Sequence, residues 1–227
     1  MRILIVNADD LGYDPEIDRG ILEAHAGGIV TSATAMVGTP FSAAALRAAP
    51  ATLGVGLHAV LDPSLPRAAA EAALRDQLAR FEDLRGEGPT HLDSHKHAHG
   101  MPEILEAFAA VAAERGLPVR SIDGSMRARL RGAGVSTPDA FLGNAALRPA
   151  WDAVRLAAAL SRLADGATEV MAHPGRAPTH ARTSFGAERE IELSAVCSEA
   201  VRNAVRGAGA RLCSFAVLRD SARARER

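Results

Sequence analysis

Hydrophobic and polar positions follow one alternation along the whole chain: a short apolar run, then a segment with helical spacing. The first run, residues 1–6, is MRILIV, which is typical of a buried strand. Strands are predicted over 2–8, 30–37, 53–60, 90–94, 118–122, 168–173 and 211–217. Helices are predicted over 14–26, 41–48, 68–85, 102–115, 150–164 and 188–208, and an irregular segment over 125–149.

Alternating strands and helices indicate a parallel sheet covered by helices. We therefore predict an α/β fold, a closed or nearly closed (β/α) barrel of about seven parallel strands. An open doubly wound sheet is the alternative. The length of 227 residues and the hydrophobic content of 48% suit one large domain, predicted over 1–218, with a flexible C-terminal tail over 219–227.

Charge adds little to this picture except exclusions. The 26 basic and 27 acidic side chains nearly balance, which argues against nucleic acid or an anionic membrane as the main partner. The chain starts without a signal-peptide pattern, and no apolar stretch approaches the ~20 residues that a membrane span needs. We therefore expect a cytoplasmic protein without a membrane span.

Two adjacent carboxylates, Asp9 and Asp10, end the first apolar run. Neighbouring acids repel each other and must stay hydrated or find a cation. His58 ends the third predicted strand, and His173 ends the strand at 168–173. Taken alone, either histidine could be structural. Because the carboxyl ends of parallel strands meet at one face, we expect all four side chains to be neighbours and suggest a metal site.

A denser group of histidines follows the fourth predicted strand, in the sequence DSHKHAH. If this segment is extended, His95, His97 and His99 share one face. A metal ligand, a histidine that supports a ligand and a histidine that contacts substrate would each explain one of them. Asp93, at the start of the group, would either orient a histidine or bond to the backbone.

Four motifs, NADDLG, GLHAVL, THLDSHKHAH and MAHPG, occur in this order. Together they resemble the YdjC/ChbG family of carbohydrate deacetylases over roughly residues 2–217. The HLDSHKH form is also similar to the HpnK-like members associated with hopanoid biosynthesis. The resemblance implies a distorted (β/α) barrel of the glycoside hydrolase/deacetylase superfamily and hydrolysis of an N-acetyl group on an amino sugar.

The resemblance also implies roles for the candidate residues. Asp10, His58 and His95 would bind one divalent metal ion, Mg²⁺ or Zn²⁺. Asp9 would be the general base, and His173 the general acid or the group that stabilises the leaving amine. Substrate contact, or support of the metal ligands, is implied for Asp93, His97 and His99.

The predicted chemistry is consistent with these residue types. One carboxylate and two imidazoles leave positions open for water and for the acetyl oxygen, and a cation there lowers the pKa of the water and polarises the carbonyl. The partner would be a small N-acetylated sugar, and a homodimer is possible. Arg189 would either reach substrate or lie on a helix surface. The connection over 61–66 is short compared with family members, which predicts a more open pocket.

Two other functions remain open at this point. A metal-dependent phosphoesterase, or another hydrolase, would use the extra acid and histidines around a second metal ion. A non-catalytic sugar-binding barrel would retain the fold without turnover.

Overall fold

The computed structural model describes residues 1–143 and 147–219. Its strands are β1 (Arg2–Leu11), β2 (Ser32–Ala35), β3 (Gly54–Ala59), β4 (Leu92–Ser94), β5 (Ala140–Leu142), β6 (Gly166–Ala172) and β7 (Arg211–Leu212). Its α-helices are α1 (Pro15–Gly27), α2 (Ser42–Ala48), α3 (Arg67–Arg85), α4 (Pro102–Arg115), α5 (Gly124–Gly132), α6 (Ala153–Leu160), α7 (Glu188–Val196) and α8 (Glu199–Gly207). A 3₁₀ helix spans His95–Gly100.

The strands form one curled parallel sheet in the order β4-β3-β2-β1-β6-β5. Strand β7 pairs with the start of β1, where Ile3 lies opposite Arg211. The prediction of a distorted barrel of about seven parallel strands is confirmed. Since every strand runs in the same direction, the carboxyl ends of β1, β3, β4 and β6 all open onto one face.

The core lies between this sheet and the helices around it. Strand β1 is buried from Leu4 to Leu11, as expected for a parallel strand covered on both faces. Phe81 on α3 and Phe108 on α4 are fully buried and anchor their helices. Burying a large apolar side chain stabilises the folded state by about 1.5–3 kcal/mol, so these two residues help to hold α3 and α4 against the sheet.

Regular structure occurs within 125–149, so the prediction of an irregular segment there is wrong. Helix α5 begins after Asp123, whose side chain accepts a hydrogen bond from the Met126 backbone N–H and caps the helix. Strand β5 pairs with β6, with Ala140 opposite Thr168. The three residues of β5 are too few to give a clear period-2 pattern in the sequence.

The single helix predicted over 188–208 is two helices, α7 and α8. Ser198 separates them: its backbone is extended, and its side chain accepts a hydrogen bond from the Val201 N–H as the N-cap of α8. A serine at a break is a usual start signal for a helix. Apolar spacing continues across the break, which explains the prediction of one helix.

Two predicted strands are shorter than expected. The strand over 118–122 reduces to a single parallel bridge from Val119 to β4. The strand over 211–217 keeps only the two residues of β7, because Phe215 donates its backbone N–H to Ser32 Oγ instead of continuing the ladder. The predicted tail over 219–227 lies outside the described residues except for residue 219. Among the helices that the structure describes, none is long and apolar enough to span a bilayer.

Candidate active site

A break in β1 brings two neighbouring acids to one cavity. The register with β2 shifts between Ala8 and Leu11, and Asp10 has a left-handed backbone with φ of +74°. In a regular strand adjacent side chains point to opposite faces. The bulge removes that alternation, so Asp9 and Asp10 both line the same cavity although they are sequence neighbours.

Asp10, His58 and His95 form a cluster that fits a metal ion. The Oδ1 atom of Asp10 is 3.3 Å from His58 Nε2 and 3.3 Å from His95 Nδ1. Two ligand atoms bound tetrahedrally at ~2.0–2.1 Å from one ion lie about 3.3 Å apart. Asp10 Oδ1 is buried and has no hydrogen-bond partner. A buried acceptor without a partner, at this spacing from two imidazoles, suits a cation.

A second layer of hydrogen bonds orients His58. Asp93 Oδ1 lies 2.7 Å from His58 Nδ1, and Thr34 Oγ1 donates to Asp93 Oδ2 at 3.0 Å. This bond presents the Nε2 atom of His58 to Asp10, which is the arrangement that supports a metal-binding histidine. Burial would lower the pKa of His58, but the charge of Asp93, the nearby Asp10 carboxylate and the hydrogen bond to Asp93 raise it to about 10.

A fully buried arginine holds the other acid. Arg120 follows the bridge to β4 and forms two hydrogen bonds with Asp9, at 2.8 and 2.7 Å. Its remaining contacts are to Asp93 Oδ2 at 2.8 Å and Glu169 Oε1 at 2.7 Å. Burial would raise the pKa of Asp9, but the Arg120 guanidinium holds it below its usual range. Burial raises the pKa of Glu169 to about 7 in spite of the same arginine.

The turn after β6 places His173 beside Asp9. His173 Nε2 is 4.0 Å from Asp9 Oδ2, and its ring lies 5.0 Å from the ring of Phe185. Pro174 and Gly175 follow, so the chain leaves the strand directly after the histidine. The structure therefore brings together all five residues predicted for the metal and the acid–base chemistry.

The other histidines of the fourth-strand group do not share one face. Residues 95–100 form the 3₁₀ helix, in which Lys96 and His97 have φ of +53° and +54°, so the segment is not extended and the condition for a shared face is not met. His97 still lines the cavity. His99 points away, fully buried against Phe108 and bonded to Ser94 Oγ. Burial lowers the pKa of His97 to about 4 and of His99 to about 3, so both are neutral.

The cavity above these residues has a volume of about 400 Å³. Its floor carries the acids and histidines, and Lys96, Arg148 and Arg182 lie on its wall. A second cavity of about 540 Å³ shares Tyr13 and His95 with it and extends toward helix α3. The two cavities together are large enough for a substrate of several rings.

The YdjC-like protein family model matches residues 3–72 and 63–207, nearly the whole chain. This chain belongs to the YdjC-like family. A carbohydrate deacetylase from Geobacillus stearothermophilus is 35% identical over 223 residues, which cover 85% of this chain and 88% of that protein. A chitooligosaccharide deacetylase from Salmonella paratyphi B is 38% identical over 149 residues, covering 52% of this chain and 59% of that protein.

Two solved structures share the fold of this YdjC-like chain. A protein from Enterococcus faecalis V583, named for the cleavage of cellobiose phosphate, superposes with a TM-score of 0.83 at 27% identity, over 96% of this chain and 98% of that one. A family 4 acetyl xylan esterase from Clostridium thermocellum, in complex with cobalt, gives a TM-score of 0.57 at 15% identity, over 96% and 90% of the two chains. The second likeness shows the fold alone.

Three buried charged residues of this YdjC-like site were missed or left open in the sequence. Arg189 is only 1% exposed and donates from NH2 to Asp10 Oδ2 at 2.6 Å, so it is not on a helix surface. Glu192, on the same helix, accepts from the His173 backbone N–H at 2.7 Å. Arg120 lies within the strand predicted over 118–122, and the sequence pattern there gave no sign that its side chain is buried. Glu192 and Arg189 have a helical spacing of three, which puts them on one face but does not say which face is buried.

Proposed function

We propose that this YdjC-like protein is a metal-dependent carbohydrate deacetylase that hydrolyses an N-acetyl group on an amino sugar. The observation that carries the proposal is the cluster of Asp10, His58 and His95 in one cavity with Asp9 and His173. Two similar proteins named as carbohydrate and chitooligosaccharide deacetylases support it.

In the proposed reaction Asp10, His58 and His95 would hold one divalent cation. Such an ion would lower the pKa of a water molecule and polarise the acetyl carbonyl. Asp9 is ionised, because Arg120 holds its pKa low, and its carboxylate accepts the proton of the attacking water.

His173 completes the proton transfer. An amide nitrogen leaves poorly until it is protonated, so an acid must face the scissile bond. The Nε2 atom of His173 lies 4.0 Å from Asp9 Oδ2. The His173 side chain is 18% exposed and lines the same cavity. It is too far from Asp9 for a hydrogen bond and is therefore free to donate its proton to the leaving nitrogen.

The metal and the sugar are tested together. The purified protein is stripped with a chelator, reloaded with Mg²⁺, Zn²⁺, Co²⁺ or Mn²⁺, and assayed for free amine on a panel of N-acetylated mono- and oligosaccharides. We expect one ion per chain and activity only in loaded protein. Equal activity with and without metal would overturn the proposal. We propose Mg²⁺ or Zn²⁺ as the resident ion. A cytoplasmic location, a homodimer and membership of the HpnK-like subfamily stay predictions from the sequence.

The base is tested by Asp9→Asn, which keeps shape and removes the charge. We expect amine release to fall by about 10²–10⁴-fold, the usual contribution of a general base, while one metal ion still binds. Asp83→Asn, at an exposed position on α3, is the matched control and should keep full activity. An Asp9→Asn variant with more than a tenth of the activity would exclude Asp9 as the base.

The arrangement disfavours a phosphoesterase with two metal ions. A second group of possible ligands contains Asp9, His58 and Asp93. The Arg120 guanidinium already pairs with both of these acids, at 2.7 Å from Asp9 and 2.8 Å from Asp93. A second cation there would lie against a buried arginine. A metal count near two per chain would favour the phosphoesterase instead, and tight sugar binding without turnover under any metal would favour a sugar-binding barrel.

A further inference from the structure

Helix α7 sends two charged side chains into the interior of the site. Arg189 and Glu192 are three residues apart, so they project from the same face of the helix. They are 1% and 0% exposed. Arg189 bonds to the metal-site acid Asp10, and Glu192 bonds to the backbone of His173. One helix therefore contacts both halves of the proposed reaction centre.

Glu192 binds backbone and no cation. Its Oε2 atom accepts from the His173 N–H at 2.7 Å, and its Oε1 atom accepts from the Ala150 N–H at 2.8 Å and, more weakly, from the Trp151 N–H at 3.4 Å. Within residues 1–143 and 147–219, it forms no ion pair. Burying a carboxylate is unfavourable unless hydrogen bonds replace its hydration. The backbone N–H groups of residues 150, 151 and 173 supply those hydrogen bonds to Glu192.

The hydrogen bond between the His173 N–H and Glu192 lies just beyond the end of strand β6. The ladder between β6 and β1 ends with Ala172 opposite Ala8. The ladder between β6 and β5 ends earlier, with Leu142 opposite Val170. His173 lies beyond both ladders and donates its N–H to Glu192 instead of to a strand, and Pro174 after it has no N–H at all. An N–H left without a partner inside the protein is unfavourable, so without Glu192 the turn would shift to satisfy it.

Neighbouring contacts make the same turn rigid from two sides. Trp151 Nε1 donates to the Met171 carbonyl at 2.8 Å, and the Gly175 N–H donates to the Arg189 carbonyl at 3.2 Å. Together with Glu192, they hold residues 171, 173 and 175. Glu192 is the only one of these three contacts that reaches the backbone of the histidine itself.

We propose that Glu192 is a positioning residue for His173: its carboxylate fixes the backbone from which the imidazole reaches the leaving nitrogen. The proposal rests on the proposed role of His173 as the acid. Both carboxylate oxygens are needed, because one binds the turn after β6 and the other binds the segment at 150–151. An amide offers one acceptor oxygen and would turn its NH₂ group toward one of these N–H donors.

The test is Glu192→Gln in the full-length, metal-loaded protein. We expect kcat to fall by about 10–100-fold, the effect of misplacing a catalytic group by about 1 Å, with KM changed less than about threefold. Metal content should stay at that of the unaltered protein. Glu190→Gln, an exposed glutamate on the same helix, is the control and should leave kcat unchanged.

A merely structural role is separated by a double variant. If Glu192 acts through His173, adding Glu192→Gln to His173→Gln should lower kcat no further. If the two losses multiply, or if Glu192→Gln alone stays within twofold of the unaltered protein, the proposal is wrong. If the Gln variant unfolds, Glu192→Asp, which keeps both oxygens but is one methylene shorter, should give a smaller loss and the same non-additivity.

A second readout does not depend on turnover. The imidazole signals of His173, assigned in the NMR spectrum by their absence in His173→Gln, should shift in Glu192→Gln and remain in place in Glu190→Gln. Unshifted signals would overturn the positioning role. A protein that shows these shifts but no deacetylase activity would contradict the proposed function and leave the structural link between the two residues intact.

Discussion

Replacing Arg120 by methionine tests the electrostatic basis of the site most directly. Methionine fills a similar volume without charge or donors. The arginine is 0% exposed and lies between three carboxylates, those of Asp9, Asp93 and Glu169. Its removal leaves three buried acids around an apolar side chain. In the part of the chain that the structure describes, Asp9 then keeps only His173 Nε2 at 4.0 Å as an ion-pair partner, and Glu169 keeps none.

The expected loss follows from these contacts. Removing one partner of a buried ion pair costs about 3–5 kcal/mol, and Arg120 serves three acids, so we expect about 5 kcal/mol. The loss should be larger at pH 8 than at pH 5.5. A carboxyl whose folded pKa lies above its unfolded value destabilises the fold as the pH rises, and Glu169, with a pKa of about 7, already does so. Without the arginine, burial raises the pKa of Glu169 further and raises those of Asp9 and Asp93 from their lowered values.

Urea unfolding of metal-free protein at both pH values measures this loss and avoids any contribution of the metal. Arg129→Met is the matched control, since Arg129 is exposed and, among the residues that the structure describes, pairs with Glu106 alone. We expect little change in the free energy of unfolding of this variant. A loss below about 1 kcal/mol for Arg120→Met, outside the range expected of a buried pair, would refute the reasoning. So would a loss that does not grow with pH.

Three further outcomes are expected. Glu169→Gln should make the free energy of unfolding fall less as the pH rises from about 4.5 to 7, because this acid has a pKa of about 7 in the folded protein and 4.5 as its ordinary value; equal pH slopes over this window would contradict this. Asp93→Asn should weaken metal affinity by about 10–100-fold in a competition titration, since Asp93 supports His58; unchanged affinity would count against that support. Gly56→Ala should lower the free energy of unfolding by about 1–3 kcal/mol in urea, because a Cβ there would lie 2.5 Å from the His91 ring; a loss under ~0.5 kcal/mol, typical of a neutral surface change, would refute the clash.

Much of the fold was predictable because long apolar runs and helix caps carry their own signals. The 102–115 helix was predicted with the bounds of α4, since Pro102 begins it and Gly116 ends it in a left-handed conformation. The short elements were not predictable in the same way. Strand β5 has three residues, and its position depends on pairing with β6, which no local pattern records.

The site was predictable for residues at strand ends and not for those that reach it from helices or through the interior. Asp9, Asp10, His58 and His173 lie at strand ends, so parallel topology brings these segments together; the bulge in β1, which the sequence does not reveal, then turns both acids into one cavity. Arg120 and the residues of α7 come from segments whose sequences resemble solvated surfaces. The direction in which a charged side chain points is decided by tertiary packing, and a single sequence does not contain that information.

The two acids at the end of β1 have the same chemistry and different surroundings, and this difference assigns their roles. Asp9 accepts hydrogen bonds from Arg120 with both oxygens. The described histidine nitrogen nearest to it within ion-pair distance is His173 Nε2, at 4.0 Å. Asp10 gives one oxygen to an arginine and leaves Oδ1 to two imidazoles. The bulge between them makes this separation possible, because it lets neighbouring residues approach different cations. Removing Ala8 should cancel the bulge and turn one of the two acids out of the cavity. We therefore expect this deletion to abolish both metal binding and turnover while strand β1 still forms.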